Sequence, residues 1–338
     1  MPLRLIDVYL PASAEDSIRD SVADNRNWRI LGVWSTDLGD QRCIVKILVD
    51  VEQTEAITDH LSGQFSHDES FRIIVMPVET SIPVPRDDES ADPEPREKTG
   101  PSPGRVSREE LYAELQDSAR VTPVYITLVL LSTIVAAVGL ARSNTAVIIG
   151  AMVIAPLLGP TIAMAFAAML GDGSLARRAG RALGLGLLLA FAVSIPIGMV
   201  LNIDPGGTEI ALRTEVSALD IVLGLAAGGA GAVSMTAAVP GAVIGVMVAV
   251  ALLPPLAASG MLLGAGAWQA ASGALLLLAI NLICIHLSAM LTFLAQGIRP
   301  STWWEARKAR TAMLQSLAAS VLILLLLAGL LYTAYYRA

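Results

Sequence analysis

Residues 146–160 read AVIIGAMVIAPLLGP, and residues 241–255 read GAVIGVMVAVALLPP. At an offset of 95 residues Gly150 matches Gly245, and the Leu-Leu pairs and final prolines coincide. The same offset carries the flanking apolar stretches onto each other, so the pattern predicts two tandem units of three membrane spans. Because three is odd, the second unit enters the bilayer from the opposite side, as an inverted-topology repeat. Chance similarity between apolar stretches is the competing explanation, and the shared Gly, Met and Pro spacing argues against it.

The apolar stretches have the length needed to cross about 30 Å of hydrocarbon. Six of them fall into repeat units at residues 121–201 and 217–297, and one, 312–333, lies outside the repeat. We therefore predict an α-helical polytopic bundle with seven spans, at residues 122–140, 145–171, 182–201, 218–236, 241–264, 275–296 and 312–333.

Basic residues predict the orientation of these spans. Arg177, Arg178 and Arg181 follow the second span, and a second basic cluster follows the sixth, whereas the loop after the third span is acidic. Placing the N-terminal part in the cytoplasm puts both basic clusters there, as the positive-inside bias requires. The N-terminus has no secretory signal pattern. The sequence thus predicts a protein of the plasma or inner membrane with its C-terminus outside.

Composition separates a charged head from an apolar body. Residues 1–120 contain 13 Lys/Arg and 24 Asp/Glu, whereas residues 121–338 contain 10 and 6. The net charge of −7, and the lack of a basic, aromatic-rich patch, argue against nucleic acid as a partner. The lipid bilayer is the predicted environment of the body.

The head, residues 1–80, alternates strand-like and helix-like patterns. Ile6, Val8 and Leu10 lie at the period of two that a half-buried strand requires, and helical patterns alternate with further strands. The order βαββαβ predicts a ferredoxin-like α+β domain. Residues 81–104 are rich in Pro, Asp, Glu and Gly, which predicts a disordered linker. Residues 105–120 carry an amphipathic helix pattern that either lies along the membrane or extends the first span.

The stretch Asn144-Thr145-Ala146-Val147-Ile148-Ile149-Gly150-Ala151-Met152-Val153-Ile154-Ala155-Pro156-Leu157-Leu158-Gly159-Pro160 resembles a known family. It is similar to a family of uncharacterised bacterial and archaeal membrane proteins, the hydrophobic domain of unknown function 389. The resemblance covers roughly residues 120–300. It implies a polytopic bundle, often with a soluble extension, and it implies no substrate or reaction.

Prolines inside two spans predict the functional site. The second span contains Pro156, Gly159 and Pro160, and the fifth contains Pro254 and Pro255 at the matching depth. An internal proline frees a backbone carbonyl, and hydrocarbon tolerates such groups only where protein or water satisfies them. We therefore predict half-helices that meet near the midplane and bind an ion or polar solute. Simple helix kinks for packing are the alternative.

Few polar side chains accompany these prolines. Arg142 and Ser143 precede the second span, where Arg142 either faces an anion or reaches into the lipid headgroups. Hydroxyl groups near the prolines either bind the solute or bond their own helix. Polar side chains inside the sixth span either bind the solute or join helices. The candidate ligands, with the backbone positions above, are Asn144, Thr145, Gly150, Thr161, Ser234, Thr236, Gly245, Asn281 and His286.

The interiors of the predicted spans contain no Asp or Glu, which disfavours carboxylate-based coupling. Cys43 and Cys284 have no neighbour at metal or disulfide spacing. We expect no catalytic residue, metal or cofactor, and hence no enzyme. The preferred function is permeation of a small ion or polar solute by a transporter or channel, with the head regulating or assembling it. A membrane-embedded sensor, whose head binds a metabolite or partner, is the alternative, and we expect a homo-oligomer in either case.

Overall fold

The computed structural model describes residues 3–23, 30–39, 42–65, 71–78, 106–201, 203–237, 241–298 and 303–337. The chain divides into two compact units, residues 1–111 and 112–338. The predicted linker, residues 81–104, lies outside the described residues.

The first unit is built on a four-stranded antiparallel sheet with the order β2-β3-β1-β4. Together with two helices, the chain order is βαββαβ, and this strand order is the one that the ferredoxin-like arrangement requires. The elements are β1 (Leu3–Pro11), α1 (Glu15–Ala23), β2 (Ile30–Gly39), β3 (Arg42–Asp50), α2 (Val51–Phe65) and β4 (Arg72–Val78).

Alternation along the strands forms the core of this unit. In β1 the alternate residues Ile6, Val8 and Leu10 are almost completely buried, and in β3 Val45 and Ile47 are buried with them. Ile6 lies opposite Ile47 in the register. Side chains at period two share one sheet face, so this face packs against Ile18 of α1 and Ile57 and Leu61 of α2.

The helix α3 (Arg108–Ser118) lies within the amphipathic segment predicted at residues 105–120. Its first turn belongs to the first unit, where Arg4 makes two hydrogen bonds to the Glu110 carboxylate, at 2.9 and 3.0 Å. Arg108 forms ion pairs with Asp59, at 2.9 Å, and with Glu55. Burial acts to lower the pKa of Arg108, but Glu109, Asp59 and Glu55 outweigh it and raise the pKa further.

The second unit is helical. Among the described residues, five helices are long and apolar enough to cross a membrane, and a bent pair makes six if it counts as one span. A shorter apolar segment, Ala251–Gly264, lies in the helix at the predicted fifth span. The helices are α4 (Pro123–Ala141), α5 (Thr145–Ile154), α6 (Leu158–Leu170), α7 (Gly173–Val200), α8 (Thr208–Ala211), α9 (Ala218–Thr236), α10 (Gly241–Gly264), α11 (Trp268–Ala295) and α12 (Trp303–Arg337).

Helix bounds repeat at the offset of the sequence motif. The helix α4 spans 123–141 and α9 spans 218–236, so both bounds of α9 lie 95 residues later. The helices α7 and α11 span 173–200 and 268–295, which again differ by 95 at both ends. The third helix of each half therefore starts before the predicted bounds, 182 and 275. Asp172 explains the earlier start of α7, because its carboxylate caps the N–H groups of Ser174 and Leu175.

Two contacts between the halves are reciprocal at this offset. A Cβ added to Gly198 of α7 would lie 2.0 Å from the carbonyl oxygen of Met261 in α10. At the offset of 95, Gly198 corresponds to Phe293 of α11, and Met261 corresponds to Phe166 of α6. The rings of Phe293 and Phe166 meet edge to face, with their centroids 5.4 Å apart. A two-fold relation between the predicted repeat units would produce contacts that swap partners in this way.

Candidate functional site

The second predicted span is broken. The helix α5 ends at Ile154, α6 begins at Leu158, and the two are bent by 55°. Ala155 precedes Pro156, which disfavours the helical conformation, and Ala155 adopts an extended one with φ −68° and ψ 119°. Ala155, Leu157 and Leu158 are buried. The break predicted from the prolines is therefore present, with part of its backbone among buried residues.

The break changes what Pro160 costs the helix. In α6 Pro160 is the third residue, and a proline in the first turn loses no intrahelical hydrogen bond. The Thr161 hydroxyl donates to the Leu157 carbonyl at 2.7 Å, so it bonds its own helix. Helix geometry leaves the N–H groups of Leu158 and Gly159 without an intrahelical partner. These two N–H groups, together with the last carbonyls of α5, are the polar groups of the break.

Gly159 lies against the end of α3. A Cβ at Gly159 would lie 2.5 Å from the Ser118 Cβ and 2.7 Å from its Oγ. Any larger residue at position 159 would therefore push the last turn of α3 away from the break. Residue 150, also a predicted site glycine, differs: it is exposed, and a Cβ there would meet nothing within 4 Å.

At the start of α5 the protein supplies its own carboxylate. Asn144 caps the helix by accepting the N–H of Val147, at 3.2 Å. The Thr145 hydroxyl donates to Glu209 Oε1 at 2.5 Å, and Arg213 pairs with Glu209 Oε2 at 2.7 Å. Glu209 is 7% exposed. A helix N-terminus favours an anion, and here the carboxylate of Glu209 provides the negative charge.

The fifth span differs from the second. The helix α10 runs without interruption through Pro254 and Pro255, so the break predicted there is absent. An interior proline costs a helix about 3 kcal/mol, and Pro255 deprives the carbonyl of Ala251 of its usual partner. Asn281 of α11 supplies a replacement, because its Nδ2 donates to that carbonyl at 2.8 Å. The surroundings of Gly245 lie outside the described residues.

The remaining predicted ligands are engaged elsewhere. The hydroxyl of Ser234 donates to Ala230 and that of Thr236 to Val233, in their own helix. Gln296, at the end of α11, donates to the Thr236 hydroxyl at 2.8 Å. His286 lies 3.0 Å from the Ser316 hydroxyl, which joins α11 to α12.

The structure therefore brings the predicted residues together in groups, at the start of α5, at its break and at the prolines of α10. Sequence reasoning missed Glu209, Arg213, Ser118 and Gln296. Glu209 lies 64 residues from Thr145 and reads as an ordinary loop carboxylate, so no local pattern marks it. Within the described part of the chain, no three His, Cys, Asp or Glu residues form a group suited to a metal ion.

Comparison with known proteins places this geometry in a family. The model of the domain of unknown function 389 matches residues 152–287, which run from the end of α5 into α11. An uncharacterized protein of Methanocaldococcus jannaschii is 33% identical over 312 residues, which is 92% of each chain. No solved structure matches the chain. The chain belongs to the family of proteins that carry the domain of unknown function 389.

Proposed function

We propose that the chain is a membrane permeation protein, a transporter or channel, for a small anionic or neutral polar solute. The observation that carries the proposal is the break between α5 and α6, which leaves the N–H groups of Leu158 and Gly159 without an intrahelical partner beside buried apolar side chains. Non-helical backbone at membrane depth is tolerated where protein buries it or where it lines an aqueous path.

The relation between the two halves supports the same function. Repeated helix bounds and the reciprocal contacts of Gly198 with Met261 and of Phe293 with Phe166 fit an inverted repeat. Many transporters have this plan, and their solute sites lie at broken helices between the repeats. The second span is broken, whereas the equivalent fifth span is straight. A transporter that faces one side of the membrane has such an asymmetry between its two repeats.

The composition of the span interiors favours an anionic or neutral solute over a cation. The start of α5 is already occupied by the Glu209 carboxylate, which Thr145 and Arg213 hold, so the proposed solute site is the break and not this helix end. A proton or sodium carrier usually has a carboxylate in the span interiors, and the predicted spans have none. The head, in this proposal, regulates or assembles the bundle.

The test is flux through proteoliposomes that contain the full chain. Current would be recorded for a panel of inorganic and organic anions and cations, and light scattering would follow neutral solutes. We expect one class of solute to move, and Pro160→Leu and Thr161→Val to reduce its flux at least several-fold. Leu322→Ala, an exposed position of α12 outside the repeat, is the matched control and should leave flux unchanged.

A membrane-embedded sensor is the second candidate, and one observation favours it. Residues 251–262 of α10 are buried without exception, as in a packed core. Absence of flux for every solute, together with a metabolite that binds the full chain, would replace permeation with the sensor.

A further inference from the structure

The two halves treat the same proline differently. Pro160 and Pro255 are equivalent at the offset of 95 residues. Pro160 lies in the first turn of α6 after a break, whereas Pro255 lies inside the continuous α10. An interior proline clashes with the preceding turn and removes a hydrogen bond. An interaction that the second span lacks must therefore offset the cost of Pro255 in α10.

The neighbouring helix provides one such difference. Asn281 of α11 corresponds to Gly186 of α7, since the bounds of these helices differ by 95 at both ends. Asn281 donates to the carbonyl of Ala251, which Pro255 leaves without its N–H partner. Gly186 faces the break, because a Cβ there would lie 3.1 Å from the Leu157 Cδ2. It has no side chain that donates a hydrogen bond.

The space at Gly186 is filled from α4 without replacing the missing donor. The Tyr125 hydroxyl would lie 2.3 Å from a Cβ at Gly186. It donates to the carbonyl of Ala182, at 2.7 Å, and thus to α7. The helix with Pro255, which has the Asn281 amide beside it, is straight. The span with Pro160, which has Gly186 at the equivalent position, is broken. A second difference acts in the same direction, since Pro156 of the break corresponds to Ala251.

In the side-chain amide of Asn281 the nitrogen has a hydrogen-bond partner and, within the part of the chain that the structure describes, the oxygen has none. The side chain is 3% exposed, and its Oδ1 has no hydrogen-bond partner among the described residues. A buried acceptor without a donor costs free energy. The contact that keeps α10 straight is therefore opposed by a cost in the same side chain, which suits a contact that opens and closes.

We propose that Asn281 is a latch that holds α10 straight across Pro254 and Pro255, and that its release lets α10 bend as α5 and α6 do. This rests on the proposed function only for its purpose, which is to let the two halves exchange shapes during permeation. The latch itself is a property of the helix pair α10 and α11.

The experiment uses the full chain in proteoliposomes, with Cys43 and Cys284 replaced by alanine. A single cysteine at Ser259, a fully buried residue of α10, reports bending by its rate of maleimide labelling. We expect Asn281→Ala to raise this rate at least fivefold. Adding Pro255→Ala should return the rate to its original value, because residue 255 then donates its own N–H to the Ala251 carbonyl.

A second reporter separates bending from unfolding. Ala163 of α6 is also fully buried, and a cysteine there should stay unlabelled in Asn281→Ala. No rise at Ser259, a rise that Pro255→Ala does not reverse, or equal rises at both reporters would each overturn the latch. Labelling requires no solute, so a protein that shows the latch without any flux would overturn permeation alone.

Discussion

At the residue scale, the close approach of Ser118 to the second span depends on Gly159 having no side chain. An added Cβ would lie 2.5 Å from the Ser118 Cβ, closer than packed atoms allow. We expect Gly159→Ala to lower the free energy of unfolding by about 1–3 kcal/mol, as overpacking of a buried site does. Ser118→Gly should restore part of this loss. Thermal unfolding in detergent measures both.

The control for this prediction is Gly150→Ala in α5. Position 150 has no atom within 4 Å of an added Cβ, and alanine is the better helix former by up to about 1 kcal/mol. Gly150→Ala should therefore leave stability unchanged or raise it. Equal losses in the two variants would show that Gly159 does not owe its role to the contact with Ser118.

The hydrogen bond between Tyr112 and Asp172 predicts a pH-dependent contribution to stability. The Tyr112 hydroxyl donates to Asp172 Oδ2 at 2.7 Å, and this bond raises the pKa of Tyr112. Burial acts to raise the pKa of Asp172, but its hydrogen bonds from Tyr112, Ser174 and Leu175 lower it overall. A lowered carboxyl pKa stabilises the fold above the unfolded value, about 3.9. That contribution is lost as pH falls through the lowered value.

Tyr112→Phe should therefore cost about 1.5–3 kcal/mol at pH 7, the range for a hydrogen bond to a charged group, and much less at a pH low enough to protonate Asp172. Unfolding at both pH values measures the difference. Tyr125→Phe is the control, because its hydroxyl donates to the uncharged carbonyl of Ala182. A cost for Tyr112→Phe that is the same at both pH values would exclude the carboxylate as the partner that matters.

The sequence identifies polar residues well and their partners poorly. Thr161, Ser234 and Thr236 bond carbonyls of their own helices, an alternative that the sequence pattern left open. The pairing of Thr145 with Glu209 depends on how a loop folds back over 64 residues. Hydropathy and periodicity contain no information on such a distance, so the carboxylate at the start of α5 could be found only from the structure.

At the element scale, small residues decide how closely helices approach. Gly198 of α7 lies against the backbone of α10, where an added Cβ would be 2.0 Å from the Met261 carbonyl oxygen. Backbone gives way less easily than a side chain, so Gly198→Ala should destabilise the bundle by more than Gly159→Ala. Gly180→Ala, in the same helix with no atom within 4 Å of the added Cβ, is the control. Equal unfolding temperatures for the two α7 variants would contradict the close approach.

The sequence predicted one helix break correctly and one incorrectly. Pro156 forces Ala155 out of the helix, and this local effect is readable from the sequence. Pro254 and Pro255 carry the same local signal, but α10 stays continuous. A proline in the sequence indicates only that a straight helix would be destabilised at that position. Whether a neighbouring helix offsets that cost, as Asn281 does for the Ala251 carbonyl, depends on tertiary packing.

At the scale of the whole molecule, the second unit contains two sets of helices and a further helix, α12. Two sets of helices share bounds at an offset of 95 residues and exchange contacts reciprocally. The helix α12 lies outside this relation and packs on α6 and α11 with most of its described surface exposed. Apolar exposed surface on such a helix suits lipid or a second copy of the chain, in keeping with the predicted oligomer.

The predicted inversion of the repeat can be tested by labelling. Ser174, near the start of α7, and Gln269, near the start of α11, are equivalent at the offset of 95, and both are exposed. Three spans separate them in an inverted repeat, so they must lie on opposite sides of the membrane.

In a chain whose Cys43 and Cys284 are alanine, a single cysteine at each position would be treated with a membrane-impermeant maleimide on intact cells. The positive-inside bias predicts that Ser174, beside Arg177 and Arg178, faces the cytoplasm. We expect the reagent to label the Gln269 variant in intact cells and the Ser174 variant only after lysis. Labelling of both from the same side would mean that the two units are parallel, and a half-and-half exchange of shapes would then no longer move a solute from one side to the other.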